Sequence, residues 1–227
     1  MKDFSSVKGF IFDLDGVITD TAKFHEIAWH RVADEVGATW NQQLANGLKG
    51  VSRMDSLNEI LKVAGKDGVY SRFDKEKLAN QKNKQYQDLI KKIGPNDMLP
   101  GMKHFIEELR QNNYPMSIAS ASKNASTILN QLKITDYFRG IVDPSALHFG
   151  KPNPEIFIQA ADIIGLKAEE IVSIEDAFAG IKSIKAAGQI SLGIGSATLA
   201  AKPDLYFRDT SQVSLSAVAK KIDELYL

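Results

Sequence analysis

The chain has 227 residues, 44% of them hydrophobic, which is enough to bury a core in one domain with a smaller insert. Its 28 Lys and Arg residues balance 28 Asp and Glu residues, so bulk charge argues against a nucleic-acid or anionic-membrane partner. The absence of cysteine excludes disulfides, zinc–thiolate sites and a cysteine nucleophile.

The N-terminal stretch gives no sign of a targeting or membrane segment. MKDFSSVKGFIF lacks the long apolar core of a signal peptide, and no stretch approaches the roughly 18 consecutive apolar residues of a membrane span. We therefore expect a cytoplasmic protein without a membrane or nucleic-acid partner. The balanced charge offers no reason to expect more than a monomer.

Short apolar runs that end in polar residues recur along the chain. In order they are GFIFDLD, YPMSIASAS, GIVDP, IVSIEDA and ISLGIGS. They are too short for typical helices, and the Ile and Val in several of them are typical of strands covered on both faces. We read Gly193 and Gly195 as the end of the last run, because the third glycine of a dinucleotide-binding loop is missing.

Helical patterns separate these predicted strands. GMKHFIEELRQNN places one apolar stripe on Met102, Phe105, Ile106 and Leu109. PEIFIQAADIIG does the same with Ile156, Ala160, Ile163 and Ile164. Strands that alternate with helices predict an α/β fold with a Rossmann-like, doubly wound parallel sheet.

One region interrupts this alternation. From Asp20 to Asp97 the sequence shows one helical pattern after another, beginning with TAKFHEIAWHRVADEVG, and no convincing strand. The Pro and Gly residues of GPNDMLPG at its end suit a hinge or linker. We expect an inserted all-helical cap domain over residues 20–97 and a core formed by residues 1–19 and 98–227.

Polar residues stand where the predicted strands end. They are a pair of carboxylates, a hydroxyl, a loop lysine and an acidic pair: Asp13, Asp15, Ser120, Lys151, Glu175 and Asp176. Because ligands bind beyond the carboxyl ends of strands in an open parallel sheet, we expect these side chains to share one crevice.

The chemistry that needs this set is phosphoryl transfer. A carboxylate such as Asp13 can attack phosphorus and form an aspartyl phosphate. Since carboxylate and phosphate are both anionic, a cation is needed between them, and Mg²⁺ takes acidic and main-chain oxygens as ligands. Ser120 and Lys151 would hold the equatorial oxygens, and Gly16 would let the chain turn tightly after Asp15.

Four segments in this order, DLDGVITDT, SIASAS, GKPNP and IEDA, resemble the motifs of the haloacid-dehalogenase-like phosphotransferase superfamily. Within it the sequence is most similar to the β-phosphoglucomutases, over essentially the whole chain. The resemblance implies an isomerase that interconverts β-D-glucose 1-phosphate and D-glucose 6-phosphate through an aspartyl-phosphate enzyme. It also implies Mg²⁺ as cofactor and glucose 1,6-bisphosphate as intermediate and primer.

The resemblance implies a role for each core residue. Asp13 would be the nucleophile and Asp15 the general acid and base, while Thr21 at the hinge would act on the proton state of Asp15. Ser120 and Lys151 would bind the transferring phosphoryl group. The implied metal ligands are Asp13, Asp15, Glu175 and Asp176.

The resemblance also implies a second phosphate site on the cap side. Arg53 would grip the distal phosphate, because its planar guanidinium matches phosphate oxygens. His25 and Lys82 would contact the sugar or couple cap closure to catalysis. The other implied substrate-binding residues are Gly50, Val51 and Ser52 in the cap and Ser122, Lys123 and Asn124 in the core.

Most of these residues also have an ordinary structural interpretation. Glu175 and Asp176 could cap a helix, and Lys151 could be a solvated loop lysine. Arg53 stands near acidic residues and could form a surface ion pair, and His25 could face solvent. Three further residues have structural interpretations: Lys82 as one of several solvated lysines on its helix, and Trp29 and Trp40 as parts of the cap core.

Two other functions stay open on the sequence. The first is a Mg²⁺-dependent sugar-phosphate phosphatase of the same superfamily, which would transfer the phosphoryl group to water. The second is a non-catalytic phosphosugar-binding regulator. The intact pair Asp13 and Asp15 argues against the regulator, and the cap residues His25, Arg53 and Lys82 favour a sugar acceptor over water.

Overall fold

The computed structural model describes residues 3–225, which contain a six-stranded parallel sheet. The strands are β1 (Gly9–Phe12), β2 (Met116–Ile118), β3 (Gly140–Ile141), β4 (Ile171–Glu175), β5 (Ile190–Ile194) and β6 (Leu205–Phe207). Their spatial order is β3-β2-β1-β4-β5-β6. The order reverses between β1 and β4, which is where a doubly wound sheet opens its ligand crevice.

The two central strands are buried on both faces, as their apolar runs predict. Phe10 and Phe12 of β1 pack into the cluster on one face of the sheet, and Ile11 packs into the cluster on the other. Phe12 is in register with Ile174 of β4, so the residues that follow the two strands emerge side by side.

In the described part of the chain, five helices cover the two faces of the sheet: α5 (Met102–Gln111), α6 (Ala125–Leu132), α7 (Glu155–Ile164), α8 (Phe178–Ala186) and α9 (Leu215–Leu225). The apolar cluster on one face draws on α5, α6 and α9, and that on the other draws on α7 and α8. The predicted stripe of α5 is buried at all four positions. In α7 Ile163 is only partly buried, whereas Phe157, outside the predicted stripe, is fully buried.

Residues 20–97 contain helices and no sheet strand. The α-helices are α1 (Ala22–Val36), α2 (Gln42–Gly47), α3 (Arg53–Val63) and α4 (Arg72–Ile90). We call this stretch the helical segment. It has an apolar cluster of its own in which Trp29, Leu57 and Ile60 are buried. Ser52 and Ser71 cap the starts of α3 and α4, so two of its boundaries are set by local hydrogen bonds.

The two chain crossings between the sheet and the helical segment lie side by side. The Oγ1 of Thr19 donates to the carbonyl of Asp97 at 2.6 Å, and the N–H of Leu99 donates to the carbonyl of Ile18 at 2.8 Å. The chain therefore enters and leaves the helical segment at one place.

The sequence pattern does not predict β6. This strand has only three residues at the sheet edge, and half-buried Tyr206 alternates with buried Leu205 and Phe207. So short a run leaves no periodicity to detect. Within residues 3–225 no helix combines the length and the apolar character that crossing a bilayer would require.

Candidate active site

A buried ion-pair cluster lies at the carboxyl ends of β1 and β4. Asp13 directly follows β1, and its N–H donates to the carbonyl of Ile174 at 3.0 Å. The Nζ of Lys151 lies 2.6 Å from the Oδ1 of Asp13 and 2.7 Å from the Oε1 of Glu175. The Lys151 side chain is 0% exposed. Three residues predicted from separate segments therefore meet in one place, and Lys151 is no solvated loop lysine.

The loop that carries Lys151 is held at both of its ends. Glu155, at the start of α7, accepts hydrogen bonds from the N–H groups of His148 and Phe149 at 2.9 and 3.0 Å. The Lys151 ammonium also lies 5.1 Å from the centre of the Phe157 ring. These contacts aim the ammonium at the carboxylates rather than at solvent.

The turn after β1 packs against Asp176. Gly16 has a φ of +89°, and a β-carbon there would lie 2.2 Å from the Oδ2 of Asp176. Only glycine fits such a turn, because it adopts positive φ freely and has no side chain to clash. The predicted role of Gly16 as a tight turn agrees with this geometry, and Asp15 and Asp176 lie on either side of it.

The cluster is short of positive charge. Burial raises the pKa of Asp13 to about 7, opposed by Lys151 and reinforced by Glu175. Burial, followed by the charge of Glu175, raises the pKa of Asp176 well above its ordinary value. Burial alone would lower the pKa of Lys151, but Asp13 and Glu175 outweigh it and the pKa rises. Three carboxylates thus lie around one ammonium, which contacts only Asp13 and Glu175 directly, and burial favours the neutral forms of Asp13 and Asp176.

Mg²⁺ fits this cluster, because it prefers hard oxygen ligands and would bring the positive charge that the carboxylates lack. Within residues 3–225, however, no three Asp, Glu or His side chains have the arrangement of metal ligands. Glu175 stays a predicted ligand, although in this structure its Oε1 contacts Lys151 and its Oε2 accepts from the N–H of Ala177 at 2.8 Å. The other predicted donors are the carboxylates of Asp13 and Asp176 and the main-chain carbonyl of Asp15.

The Asp15 side chain faces the helical segment. Its Oδ1 accepts a hydrogen bond from the Oγ1 of Thr21, and its Oδ2 lies 3.6 Å from the Nε2 of His25. Thr21 is completely buried and immediately precedes α1. The expected proximity of Thr21 to Asp15 is therefore present, and so is a contact to His25.

Lys82 is buried against aromatic rings. Its Nζ lies 2.7 Å from the Nδ1 of His25 and 4.6 and 4.9 Å from the ring centres of Trp29 and Tyr86. Burial, with the nearby positive charge of Arg53, lowers the pKa of Lys82 to about 7. Burial and the charge of Lys82 also lower the pKa of His25. Lys82 is therefore no solvated surface lysine, and its structural interpretation is wrong, whereas His25 is half-buried and lines the cleft.

Arg53 does not pair with its acidic neighbours on α3. Its Nη2 donates to the Oδ1 of Asn83 at 2.9 Å, and Asp55 instead accepts from the Oγ of Ser52 at 2.6 Å. Among residues 3–225 no carboxylate lies within ion-pair distance of Arg53. The guanidinium therefore keeps its charge available at the cleft.

A cleft of about 850 Å³, counting its open mouth, lies between the sheet and the helical segment. The predicted site residues that line it are Asp13, Asp15, His25, Gly50, Val51, Arg53, Lys82, Ser122, Lys123, Asn124 and Asp176.

Five predicted site residues do not line the cleft and lie at its border or behind its wall: Thr21, Ser52, Ser120, Lys151 and Glu175. Ser120 is fully buried, and its Oγ accepts from the N–H of Ser122 at 3.1 Å. Ser120 thus shapes the loop after β2 in this structure.

Several lining residues were not predicted: Glu26, Lys49, Asn83, Ala45, Leu48 and Ala121. Lys49 adjoins Gly50 in the segment LKGVSR, which was the available signal, and its charge lowers the pKa of Asp176. Trp29 and Trp40 line the cleft as well as packing in the helical segment, so their interpretation as core residues alone is incomplete.

The haloacid dehalogenase-like hydrolase family model matches residues 7–188. A β-phosphoglucomutase of Bacillus subtilis is 40% identical over 218 residues, which is 96% of each chain. A phosphorylated carbohydrates phosphatase of Thermotoga maritima is 24% identical over 184 residues, 80% of this chain and 82% of that one. A crystal structure of β-phosphoglucomutase from Clostridium difficile has a TM-score of 0.93 at 39% identity, covering 97% of this chain and 99% of the other.

Proposed function

The chain belongs to the haloacid dehalogenase-like hydrolase family, and from this premise we propose that it is a phosphosugar mutase interconverting β-D-glucose 1-phosphate and D-glucose 6-phosphate. One observation carries the choice of a mutase. The cleft has a nucleophile-bearing acidic cluster at one end and a separate pair of basic side chains, half-buried Arg53 and buried Lys82, at the other. A substrate with two phosphates needs both ends, whereas transfer to water needs only the first.

The first half-reaction starts from Asp13 carrying the phosphoryl group. The 6-hydroxyl of β-glucose 1-phosphate attacks the phosphorus while Asp15 takes the hydroxyl proton. The bond between phosphorus and the Asp13 oxygen breaks, which frees the carboxylate and gives glucose 1,6-bisphosphate. Lys151, 2.6 Å from Asp13, offsets the negative charge that returns to this carboxylate.

The second half-reaction needs the bisphosphate to turn end for end. The carboxylate of Asp13 then attacks the phosphorus of the 1-phosphate, and Asp15 returns its proton to the leaving C1 oxygen. Glucose 6-phosphate leaves and Asp13 again carries a phosphoryl group. Glucose 1,6-bisphosphate therefore also serves as the primer for enzyme that has lost its phosphoryl group.

Asp13, Asp176 and the main-chain carbonyl of Asp15, with Glu175, would hold Mg²⁺, which would supply the positive charge that lets an anionic carboxylate meet an anionic phosphate. The protein supplies the remaining electrostatics. Thr21 and His25 fix the orientation of the Asp15 carboxylate at the sugar end of the cleft. Since burial and Lys82 lower the pKa of His25, the imidazole stays neutral and leaves the proton of the reaction to Asp15.

The far phosphate binds at Arg53 and Lys82, with Ser122, Lys123 and Asn124 on the core side. Within the described residues the Arg53 side chain makes one hydrogen bond, to Asn83. Its other N–H donors therefore stay free for phosphate. A phosphate dianion next to Lys82 would favour the charged form of this lysine, which burial otherwise disfavours.

We propose further that residues 20–97 act as a cap on a core formed by residues 1–19 and 98–227. The paired crossings at Thr19–Asp97 and Ile18–Leu99 support this division, since they leave only two covalent links between the parts. Closure of the cap would exclude the water that otherwise hydrolyses the aspartyl phosphate. The zero net charge supports a cytoplasmic monomer without a nucleic-acid or membrane partner.

A coupled assay tests the function directly. Formation of glucose 6-phosphate from β-glucose 1-phosphate is measured with Mg²⁺, with and without glucose 1,6-bisphosphate, and the α-anomer is run in parallel. We expect product from the β-anomer and a shorter lag with primer. Release of inorganic phosphate without glucose 6-phosphate would replace the mutase by a phosphatase, and binding without either product would point to a regulator.

A further inference from the structure

Asn83 connects the two walls of the cleft. Its Oδ1 accepts a hydrogen bond from the Nη2 of Arg53 and another from the Nδ2 of Asn124, both at 2.9 Å. Arg53 begins α3 in the helical segment, whereas Asn124 precedes α6 beside the sheet. Gln87 extends the connection, because its Nε2 donates to the Oδ1 of Asn124 at 3.0 Å. A single carboxamide oxygen therefore holds two groups that belong to opposite sides of the cleft.

The geometry of α4 explains how one helix serves two purposes. Lys82 points into the buried face, against Trp29 and Tyr86. Asn83, one residue further and about 100° around the axis, faces α3 and the start of α6. Gln87 follows Asn83 by four residues and so lies on the same helix face. The stretch Lys82–Gln87 thus places a cation inside the cleft and an amide pair along its edge.

The amide of Asn83 is a neutral hydrogen-bond acceptor, which suits a position beside Arg53. An amide oxygen has two lone pairs, enough for both donors, and it adds no negative charge next to Arg53 and Lys82. A carboxylate would accept the same two bonds but would neutralise the guanidinium and repel an incoming phosphate. The arrangement keeps the positive charge of Arg53 intact while removing its freedom to move.

We propose that Asn83 is a positioning residue for the second phosphate of the bisphosphate, holding Arg53 of the helical segment and Asn124 of the sheet side in one frame. The inference rests on the proposed function, which places a second phosphate between these two residues. Because the frame joins the two sides of the cleft, it forms only when the helical segment lies against the sheet. Binding of the second phosphate is therefore coupled to closure through Asn83.

Direct binding of glucose 1,6-bisphosphate tests this without depending on turnover. Calorimetry is run on the full chain carrying Asp13→Asn, alone and combined with Asn83→Ala, Asn83→Asp or Gln87→Ala. We expect Asn83→Ala to raise Kd roughly tenfold, since it releases two hydrogen-bonded groups. Asn83→Asp should raise Kd further, and more at low salt, because its charge opposes the phosphate. Gln87→Ala, one link further away, should change Kd about twofold.

Asn80 provides the matched control. It is exposed on the same helix and does not line the cleft, so Asn80→Ala and Asn80→Asp should bind the bisphosphate like the parent. Melting temperatures of the Asn80 and Asn83 variants are compared, so that a loss of fold is recognised separately. In protein with Asp13 intact, Asn83→Ala should raise KM for β-glucose 1-phosphate more than it lowers kcat.

The outcomes separate this inference from the proposed function. If the parent converts β-glucose 1-phosphate but Asn83→Ala and Asn83→Asp, both folded, bind the bisphosphate like the parent, the role of Asn83 is wrong and the mutase stands. If the parent makes no glucose 6-phosphate, the mutase is wrong. In that case a loss of bisphosphate affinity in the Asn83 variants alone still supports the frame, and equal affinity overturns it.

Discussion

The two ends of the cleft carry opposite charge and are built from different kinds of structure. At the sheet end Asp13 and Glu175 contact one lysine and Asp176 lies nearby, so carboxylates outnumber contacting cations. At the helical end Lys82 is buried and Arg53 is half-buried, and among residues 3–225 neither has a carboxylate within ion-pair distance. Each end therefore lacks the charge that the other has in excess.

This difference explains how one cleft handles a substrate with two phosphates. We propose that the acidic end binds a metal cation and holds the attacking carboxylate, and that the basic end attracts phosphate by itself. The acidic end is also fixed, because Asp13 and Glu175 continue strands paired in the middle of the sheet. The basic end sits on helices joined to the sheet by the double crossing at Thr19 and Leu99. In the proposed mechanism the chemistry therefore takes place on the sheet and recognition on the helical segment, which would move as a cap.

The largest expected effect comes from removing the nucleophile. Asp13→Asn keeps the shape of the side chain but cannot carry the phosphoryl group, so we expect turnover to fall by at least about 10⁴-fold. The coupled assay measures this, and a thermal melt checks the fold. Asp88→Asn, an exposed change on α4, is the control and should keep full activity. Full activity in Asp13→Asn would refute the nucleophile assignment.

Removing Arg53, the proposed ligand of the second phosphate, should lower activity less than removing the nucleophile. Arg53→Ala deletes charge-assisted bonds to the second phosphate, so we expect kcat/KM to fall about 100-fold, mostly through KM. Arg72→Ala removes an exposed arginine on α4 and should leave both constants unchanged. An unchanged KM in Arg53→Ala would place the second phosphate elsewhere.

Adding the metal should stabilise the acidic end alone. Metal-free protein should gain roughly 2–3 kcal/mol in free energy of unfolding when Mg²⁺ exceeds its Kd a hundredfold. Asp176→Asn should lose most of that gain, and exposed Asp143→Asn should keep it. Because burial raises the pKa of Asp13 to about 7, Mg²⁺ must displace a proton below that pH and should bind more weakly there. Denaturant titrations with and without Mg²⁺ measure both effects, and an equal gain in Asp176→Asn would remove this residue from the metal site.

The smallest expected effect is on stability and concerns the basic end. Burial lowers the pKa of Lys82 to about 7 from an ordinary value of 10.5, so folding is penalised below pH 7 and the penalty fades as the pH rises towards 10.5. Lys82→Met should therefore be more stable than the parent by about 1–2 kcal/mol near pH 6, with the gap closing in alkali. Urea titrations at several pH values measure this.

The same titrations on Lys77→Met, an exposed change on the same helix, serve as the control and should show no such pH dependence. A Lys82→Met protein that is less stable than the parent near pH 6 would show that the charged ammonium stabilises the fold. Burial of Lys82 would then not lower the free energy of unfolding, and the contrast between the two ends would weaken.

The acidic end could be predicted from the sequence in nearly every residue. Asp13 and Glu175 follow apolar runs, and the rule that parallel strands end on one edge brings them together without knowledge of side-chain packing. The exception is the set of contacts made by Glu175, since in this structure its oxygens accept from Lys151 and from the N–H of Ala177. Which oxygen is engaged by which donor depends on distances that the sequence does not contain.

The basic end was harder to predict. The segment QKNKQY shows several lysines on a polar helix, and nothing in the pattern tells buried Lys82 from exposed Lys84. The difference arises because Trp29 of α1 packs over that one position of α4. Asn83 was not predicted at all, since an asparagine on a polar helix carries no chemical signal until its partners are known.

The sequence alone determined the alternation of strands and helices, the interruption over residues 20–97 and the carboxylates at the ends of β1 and β4. These features depend on local periodicity and on the direction of parallel strands, both of which neighbouring residues encode. Only the tertiary structure decided which lysine is buried, which donors the Glu175 oxygens bind and that Asn83 joins the walls of the cleft. Those outcomes depend on contacts between segments far apart in the chain, where a few tenths of an ångström separate a hydrogen bond from none.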